Sequence, residues 1–252
     1  MPINYSTEPI DQLKLLYAIQ GTGNGHLARA MEIAPHLVRM AEVDFLISGK
    51  AAELKFPYEF KYRYHGIFFI FGKRGGVNYL STAARLKPLR FLRDVAQCPV
   101  TDYDAVINDF EPVSAWAARR RNVKAIAVSH QAAFYSPKVP RHKDRNAFIE
   151  YGMRRFAPFD AFVASHYKPY DEDIFLPVIR KELLEATVTT GDKIVVYLPA
   201  FADQKLIPHF NKLKHENWLI FSKKASQKYQ AGNVTVHPVN RELYSRELIL
   251  AK

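Results

Sequence analysis

The feature that most constrains this chain is an apolar run that passes directly into a glycine loop and then into a helical pattern. The run KLLYAIQ, residues 14–20, predicts a buried parallel strand. Glycines follow at 21, 23 and 25, and LARAMEIA, residues 27–34, has the propensity of a helix. Such a unit directs backbone N–H groups at a point that a phosphate can approach closely. The alternative is a structural turn whose glycines serve only tight packing.

The loop GTGNGH supplies the first candidate site residues. An anion site is predicted from Gly21, Thr22, Gly23, Asn24 and Gly25. His26 lies at its mouth, where an imidazole can accept a proton or contact a phosphate. The spacing departs from GxGxxG, and the second predicted strand, residues 43–48, leads into Gly49-Lys50 rather than an acidic residue. Both departures argue against a nicotinamide cofactor and an oxidoreductase.

Strand and helix patterns alternate from Lys14 onward, which predicts an α/β fold built on a Rossmann-like parallel sheet. The further strands predicted for this part are 58–64 (half-buried or at an edge), 104–110, 123–128 and 161–165. Residues 71–76 predict a glycine-rich loop. Residues 82–95 predict a basic amphipathic helix with Pro88 in its first turn or at a kink. Its leucines at 86, 89 and 92 are expected to face the core, with a membrane surface as the alternative.

Polar residues follow three of the predicted strands at their carboxyl ends, the edge where open α/β sheets bind ligands. We therefore expect His26, the pair Asp109 and Glu111, and the loop Ser129-His130-Gln131 to converge on one crevice. Two alternatives stay open. Asp109 or Glu111 could serve only to cap the helix that Pro112 begins. His130 could be a loop histidine whose hydrogen bonds are satisfied locally.

The pattern restarts after a charged, turn-prone stretch at 180–192, which predicts a linker. The elements predicted beyond it are strands 193–198, 217–221 and 234–236 and a helix over 203–214. About 60 residues are short of a usual domain. The chain is therefore predicted to divide into a domain of residues 1–185 and an incomplete second Rossmann-like domain of residues 186–252.

Charge and cysteine content limit the partners and the compartment. The formal net charge is +11, and no recognised nucleic-acid module accompanies the basic clusters. A phosphate-rich or membrane-surface partner is therefore favoured over nucleic acid, with a solvated basic face that has no partner as the alternative. A single cysteine, Cys98, and a polar N-terminal stretch predict a cytoplasmic chain without disulfides. The nine histidines show no metal-ligand spacing, so no metal is expected.

Three motifs together resemble the N-terminal half of GT-B glycosyltransferases, in particular the MurG-like group. They are GTGNGH with Arg29, Asp109-Phe110-Glu111-Pro112, and Ser129-His130-Gln131. The resemblance spans residues 13 to about 238. It implies two Rossmann-like domains, of which the N-terminal one holds the acceptor and the C-terminal one the nucleotide-sugar donor.

The resemblance also implies roles for the candidate residues. His26 would be the general base or a phosphate ligand, with Asp109 beside it in the catalytic set. The residues implied on the acceptor side are Gly21, Thr22, Gly23, Asn24, Gly25, Arg29, Glu111, Ser129, His130 and Gln131. The implied reaction transfers a hexose-type sugar from a nucleotide sugar to a phosphorylated or lipid-linked acceptor, at the inner membrane surface. No cofactor is implied, because helix dipoles and hydrogen-bond donors can stabilise the departing diphosphate.

One departure from the family limits these implications. The family binds its donor with a glycine-rich, Glu-containing segment late in the C-terminal domain, and NRELYSRE, residues 240–247, does not match it. We therefore expect this chain to lack most of the donor half, to be inactive alone, or to need a second chain that supplies it. The alternative, from a different functional class, is a non-catalytic binding protein or acceptor-binding subunit for a polyanionic or lipid-phosphate ligand.

Overall fold

The protein is described by a computed structural model that covers residues 13–49, 54–67, 87–141, 143, 147–199 and 201–252, with no side-chain description for 147–149. Lys50, the predicted loop at 71–76 and residues 82–86 of the predicted basic helix lie outside the described residues. Contacts divide the chain into two units, and residues 179–252 belong to the second. The domain boundary predicted between residues 185 and 186 stays a prediction.

The first unit contains a six-stranded parallel sheet. Its strands are β1 Lys14–Gln20, β2 Glu42–Ser48, β3 Phe60–Tyr64, β4 Ala105–Asp109, β5 Lys124–Ala127 and β6 Ala161–Phe162. Their order is β3-β2-β1-β4-β5-β6, and every neighbouring pair is parallel. This is the doubly wound Rossmann order, so the predicted fold class is confirmed. β1 and β4 are neighbours, and Ile19 pairs with Asp109.

Helices cover both faces of this sheet, which explains why β1 is apolar on both sides. The helices of this unit are α1 Asn24–Leu37, α2 Pro88–Gln97, α3 Pro112–Arg121 and α4 Ala147–Phe156. Tyr17 and Ile19 pack in one buried cluster with Leu27 of α1. Leu16 packs in a second cluster with Val95 of α2. Successive side chains of a strand point to opposite faces, so a continuous apolar run is what a strand between two helical layers requires.

The predicted orientation of the basic helix is wrong for the two leucines that the structure describes. Leu89 is 82% exposed and Leu92 is 52% exposed. The inner face of α2 is instead formed by Phe91, Val95 and the following Cys98, at helical spacings of four and three residues. A stripe through Phe91 and Val95 turns Leu89 and Leu92 toward solvent. Pro88 is the first residue of the described helix, as predicted.

The strand predicted at 161–165 is two strands that belong to different sheets. After β6, Val163 N–H still bonds to the carbonyl of Ala127. Ala164 N–H bonds instead to the carbonyl of Asp173, and β7 (Ala164–Ser165) pairs with β8 (Ile174–Phe175) in a separate parallel ladder. The change of partner after Val163 carries the following residues away from the main sheet.

The second unit is a smaller α/β layer. Its strands are β9 Lys193–Val196, β10 Asn217–Ser222, β11 Tyr229–Ala231 and β12 Val234–Pro238, in the order β11-β12-β10-β9. Its helices are α5 Lys181–Leu184, α6 Asp203–Phe210 and α7 Arg241–Ile249. β9, β10 and β12 are parallel, as expected for a Rossmann-like half, and β11 is antiparallel.

Two sequence predictions for this unit need correction, and two of its elements were missed. The helix predicted to reach residue 214 ends at Phe210, two residues after Pro208, which supplies no N–H to the helix. The residues predicted as a linker include α5, and Arg180 and Glu182 both bond to Ser245 of α7. β11 and α7 were not predicted. None of the helices in the described part of the chain has the length and apolar composition that a membrane crossing requires.

Candidate functional site

The glycine loop between β1 and α1 divides into a packed part and an open part. Gly21 N–H donates to the Ser48 carbonyl at 2.7 Å, and a Cβ at Gly21 would lie 2.9 Å from that oxygen. Packing therefore requires Gly21. A Cβ at Gly23 or Gly25 would meet nothing within 4 Å. The packing alternative holds for Gly21, while the other two glycines border open space.

The N-terminus of α1 starts from this open part of the loop. Gly23 is its N-cap, and no described side chain caps the helix there. The first turn carries no acidic residue, so no carboxylate of the helix itself offsets the positive end of the helix dipole. Asn24 is the first helical residue. Thr22 keeps its hydroxyl oxygen out of solvent with no hydrogen-bond partner among the described residues.

His26, Arg29 and Asp109 form one cluster in the structure. Nδ1 of His26 lies 2.8 Å from Oδ1 of Asp109. Arg29 donates from Nε to Oδ2 at 3.0 Å and from Nη2 to Oδ1 at 2.5 Å, which is a bidentate ion pair. The carboxylate of Asp109 is fully buried, whereas the side chains of His26 and Arg29 are each 16% exposed. The residues that follow β1 and the last residue of β4 therefore meet, as the sequence predicts.

Asp109 is held in its ionised form by these partners. Burial alone would raise the pKa of the Asp109 carboxyl, but the guanidinium of Arg29 and the ring of His26 hold that pKa below its usual value. For Arg29, burial alone would lower the pKa, and the nearby Asp109 carboxylate raises it overall. Both members of the ion pair are therefore charged at neutral pH.

The charge on Asp109 determines the tautomer of His26. A carboxylate can only accept, so a separation of 2.8 Å places the proton on Nδ1 of His26. Nη2 of Arg29 approaches the same nitrogen at 3.1 Å, but both groups then carry N–H, so this approach is a contact rather than a hydrogen bond. In the neutral imidazole the lone pair is consequently on Nε2. That nitrogen is the available proton acceptor.

Phe110 turns the chain sharply between Asp109 and Glu111. Its φ is +54°, in the left-handed region that bulky side chains rarely adopt. Its ring stacks on Phe156 of α4 with the centroids 4.7 Å apart, which helps to hold this conformation. The strained residue directly follows the buried carboxylate of the cluster, and strain of this kind is concentrated at functional sites.

Glu111 caps α3 and does not face open space. Its fully buried carboxylate accepts from the N–H groups of Val113 and Ser114, each at 2.7 Å, and from the hydroxyl of Ser48 at 2.5 Å. Burial raises the pKa of Glu111 despite these bonds. The geometry supports the capping alternative for Glu111 and gives no support to a role in acceptor binding.

Loss of this cap gives a stability prediction. Glu111→Ala is expected to lower the free energy of unfolding by about 2–3 kcal/mol, because the cap disappears and the Ser48 hydroxyl loses a buried partner. Asn240→Ala is the matched control, because Asn240 caps α7 with one bond to Leu243 N–H from an exposed position, and about 1 kcal/mol is expected there. Urea unfolding measures both. Equal losses in the two variants would contradict the account of Glu111.

The loop after β5 forms a second cluster. Ser129 is buried, and its hydroxyl accepts from Ala132 N–H at 3.1 Å. His130 Nδ1 donates to the Ser165 carbonyl at 2.8 Å, as the alternative of a locally satisfied histidine requires. Gln131 borders a small cavity, and its Oε1 is buried with no hydrogen-bond partner in the described chain. None of the contacts described for these three residues reaches the cluster of His26, Arg29 and Asp109.

Two further residues of this second cluster belong to none of the sequence motifs. His166 lies with its ring centroid 5.1 Å from that of His130, and Tyr167 follows it with an 83% exposed side chain. Both come directly after β7, and the split of the predicted strand is what brings them beside His130. Among the described residues there is no group of three or more His, Cys, Asp or Glu side chains that could hold a metal ion. The expectation of no metal stays a prediction.

Several solved structures are similar to this chain. UGT89C1 of Arabidopsis thaliana, complexed with UDP, has a TM-score of 0.52 and 14% identity over 96% of this chain and 70% of that chain. The glycotransferase of kitacinnamycin has a TM-score of 0.50 and 12% identity over 93% and 73%. MurG of Acinetobacter baumannii has a TM-score of 0.46 and 14% identity over 95% and 71%. A comparison with curated protein sequences found no match.

The family is shown by a match over nearly the whole chain. The profile described as glycosyl transferase family 1 matches residues 13–252, from the start of the described β1 region to the last residue. The resemblance to GT-B glycosyltransferases that the three motifs carry is thereby confirmed. With its Rossmann-ordered sheet and its match over residues 13–252, the chain belongs to glycosyl transferase family 1.

Proposed function

We propose that the chain acts in the transfer of a hexose-type sugar from a nucleotide sugar to an acceptor hydroxyl, with His26 as the general base. The observation that carries the proposal is the 2.8 Å contact between Nδ1 of His26 and the buried, ionised carboxylate of Asp109. This contact orients the ring and leaves its Nε2 as the proton acceptor. Arg29 is a positioning residue that holds the carboxylate.

The chemistry follows from the two ends of the imidazole. Nε2 takes the proton of the acceptor hydroxyl as its oxygen attacks the anomeric carbon, and the nucleoside diphosphate leaves with the electrons of the glycosidic bond. The ring then carries a positive charge, which the Asp109 carboxylate stabilises through the Nδ1–H bond. Arg29 keeps that carboxylate ionised, so the stabilising charge is in place before the reaction.

We propose a phosphorylated or lipid-linked acceptor for the first unit. The N-terminus of α1 has no side-chain cap, and Gly23 and Gly25 border open space there. An anionic group of the acceptor can therefore bind at this helix end. A nucleotide-sugar donor agrees with the UDP named for the Arabidopsis structure of similar fold. As the sequence analysis implies, no metal or other cofactor is proposed.

A membrane contact and a second chain complete the proposed set of partners. Leu89 and Leu92 are exposed on α2, and Lys87, Arg90 and Arg93 lie at or next to the same helix. Exposed leucines among basic residues suit the interface of an anionic membrane, so α2 is the proposed site of peripheral contact with the inner membrane surface. The proposed second chain is a protein that supplies a donor-binding domain. Its presence would be required if this chain transfers no sugar on its own.

The test is sugar transfer in an extract from cells that lack this gene. The extract supplies acceptors and other proteins, the purified chain is added back, and the incorporation of label from a panel of nucleotide sugars is measured. We expect incorporation that depends on the added chain. Incorporation only in unheated extract would identify a need for a second protein. No incorporation from any donor would contradict the proposal and favour the binding-protein alternative.

A further inference from the structure

Five rings lie together at the carboxyl ends of β5 and β7. His130 follows β5, and Phe134 lies one helical turn further on. His166, Tyr167 and Tyr170 follow β7. The two imidazoles are 5.1 Å apart between centroids, and Tyr167 lies 5.9 Å from His166 and 6.2 Å from His130. Tyr167 nevertheless keeps 83% of its surface in contact with solvent. We call these five residues the ring cluster.

The polar atoms of the ring cluster are not all satisfied within the protein. His130 donates from Nδ1 to the Ser165 carbonyl, so in its neutral form Nε2 is an acceptor. Nδ1 of His166 is shielded from solvent and has no hydrogen-bond partner in the described part of the chain. Burial, together with the neighbouring His130 and Arg141, lowers the pKa of His166, so its ring is neutral at neutral pH.

The surroundings of the ring cluster do not favour an anion. Arg141 stacks on Phe134 at 5.0 Å, and its guanidinium donates to the carbonyls of Val139 and Ser136. Its Nε also lies 3.5 Å from Oε1 of Glu150, so its charge is balanced within the protein. Lys168 is the other cation near the cluster among the described contacts, with its Nζ 5.6 Å from the centroid of the Tyr170 ring. The rest of the surface consists of aromatic faces with a few ring nitrogens, which suits an uncharged ligand that is flat on one side and polar at its edge.

We propose that the ring cluster is a subsite for a neutral sugar ring, with Tyr167 as the stacking residue and Nε2 of His130 as a hydrogen-bond partner for one of its hydroxyls. A pyranose presents C–H groups on one face, which pack against the negative face of an aromatic ring, and hydroxyls around its edge. The inference rests on the proposed function, since it specifies the acceptor as one that already carries a sugar.

The position of the ring cluster fits a place beside the candidate base. β1, β4 and β5 are consecutive parallel strands of one sheet, so the residues after their carboxyl ends lie along one edge. His26 follows β1, Asp109 ends β4 and His130 follows β5. An acceptor that reaches His26 with one hydroxyl can therefore extend along this edge toward Tyr167.

Binding of simple glycosides tests this subsite without any donor. Saturation-transfer NMR with methyl β-glucoside and methyl N-acetyl-β-glucosaminide is expected to detect binding of at least one probe to the full chain. Tyr167→Ala should weaken that binding about 10-fold, and Tyr167→Phe should keep it within about twofold. Tyr151→Ala is the matched control, because Tyr151 is also exposed, at 58%, and contacts only Arg155 among the ring contacts described.

The outcomes separate this inference from the proposed transfer. Absence of signal with both probes, or equal binding by wild type and Tyr167→Ala, would overturn the subsite. Equal losses in Tyr167→Ala and Tyr151→Ala would also overturn it. Because Tyr167 is exposed, its variants should unfold at the same urea concentration as wild type. The subsite can fail while the extract still shows transfer, and transfer can fail while the glycosides bind.

Discussion

Replacing His26 by alanine is expected to lower the rate of sugar transfer by about 100- to 10,000-fold, because the acceptor hydroxyl then loses its proton to water rather than to a positioned imidazole. The His26 side chain is largely buried, but the fold should persist because Asp109 keeps its bidentate ion pair with Arg29. The loss should fall mainly on kcat, since the base acts in the transition state rather than in binding. Labelled incorporation in the extract assay measures it.

His36→Ala is the matched control for this variant. His36 lies ten residues further along α1 and contacts Arg39 three residues later, the same spacing that separates His26 from Arg29. It has no contact with Asp109 among those described, so its loss should leave the rate unchanged. Similar rates for His26→Ala and wild type would refute the assignment of the base.

Arg29→Met is expected to lower the free energy of unfolding by about 3–5 kcal/mol at neutral pH, because it leaves the fully buried Asp109 carboxylate without its bidentate partner. Arg39→Met is the control. Arg39 follows α1 and contacts a histidine, His36, but its side chain is exposed. The expected loss there is within about 0.5 kcal/mol. Urea unfolding of both variants provides the comparison.

The pH dependence of the Arg29→Met loss distinguishes a charge effect from a packing effect. In the wild type the folded pKa of Asp109 lies below its unfolded value of about 3.9. Its stabilisation is therefore complete above that value and is lost as the pH falls through the folded pKa. Without Arg29, burial raises the folded pKa above the unfolded one, so the variant gains stability on acidification. The difference between wild type and variant should shrink from pH 7 toward pH 4; a constant difference would indicate lost packing alone.

The main sheet could be predicted because its strands carry buried apolar runs separated by clear helical segments. β1, β4 and β5 lie where their patterns indicate. Both His26 and Asp109 were candidates because they lie at the carboxyl ends of predicted strands. That they contact each other depends on the adjacency of β1 and β4 in the sheet, which the sequence does not show. Local patterns therefore gave the candidates, and the topology decided which of them meet.

The features that sequence reasoning missed depend on relations between distant segments. The face of α2 that packs inward is set by Phe91, Val95 and Cys98 against the sheet, which the leucine spacing does not reveal. The left-handed φ of Phe110 has no signal in residue type, since such residues usually avoid that region. The ring cluster forms because the chain leaves the main sheet after Val163, where the backbone hydrogen bonds change from Ala127 to Asp173. The apolar periodicity of the sequence does not show this change of partner.

A double-mutant cycle on the rate of sugar transfer tests the central claim most directly. Asp109→Asn should place an amide N–H against Nδ1 of His26 and move the ring proton to Nε2, which disables the base. We predict that Asp109→Asn and His26→Ala each cause a large loss and that the double variant is no slower than His26→Ala alone. Asp44→Asn on β2, which weakens an ion pair with Lys61 on β3, should leave the rate of transfer unchanged. Losses that multiply in the double variant, or a wild-type chain that transfers no sugar, would contradict the account.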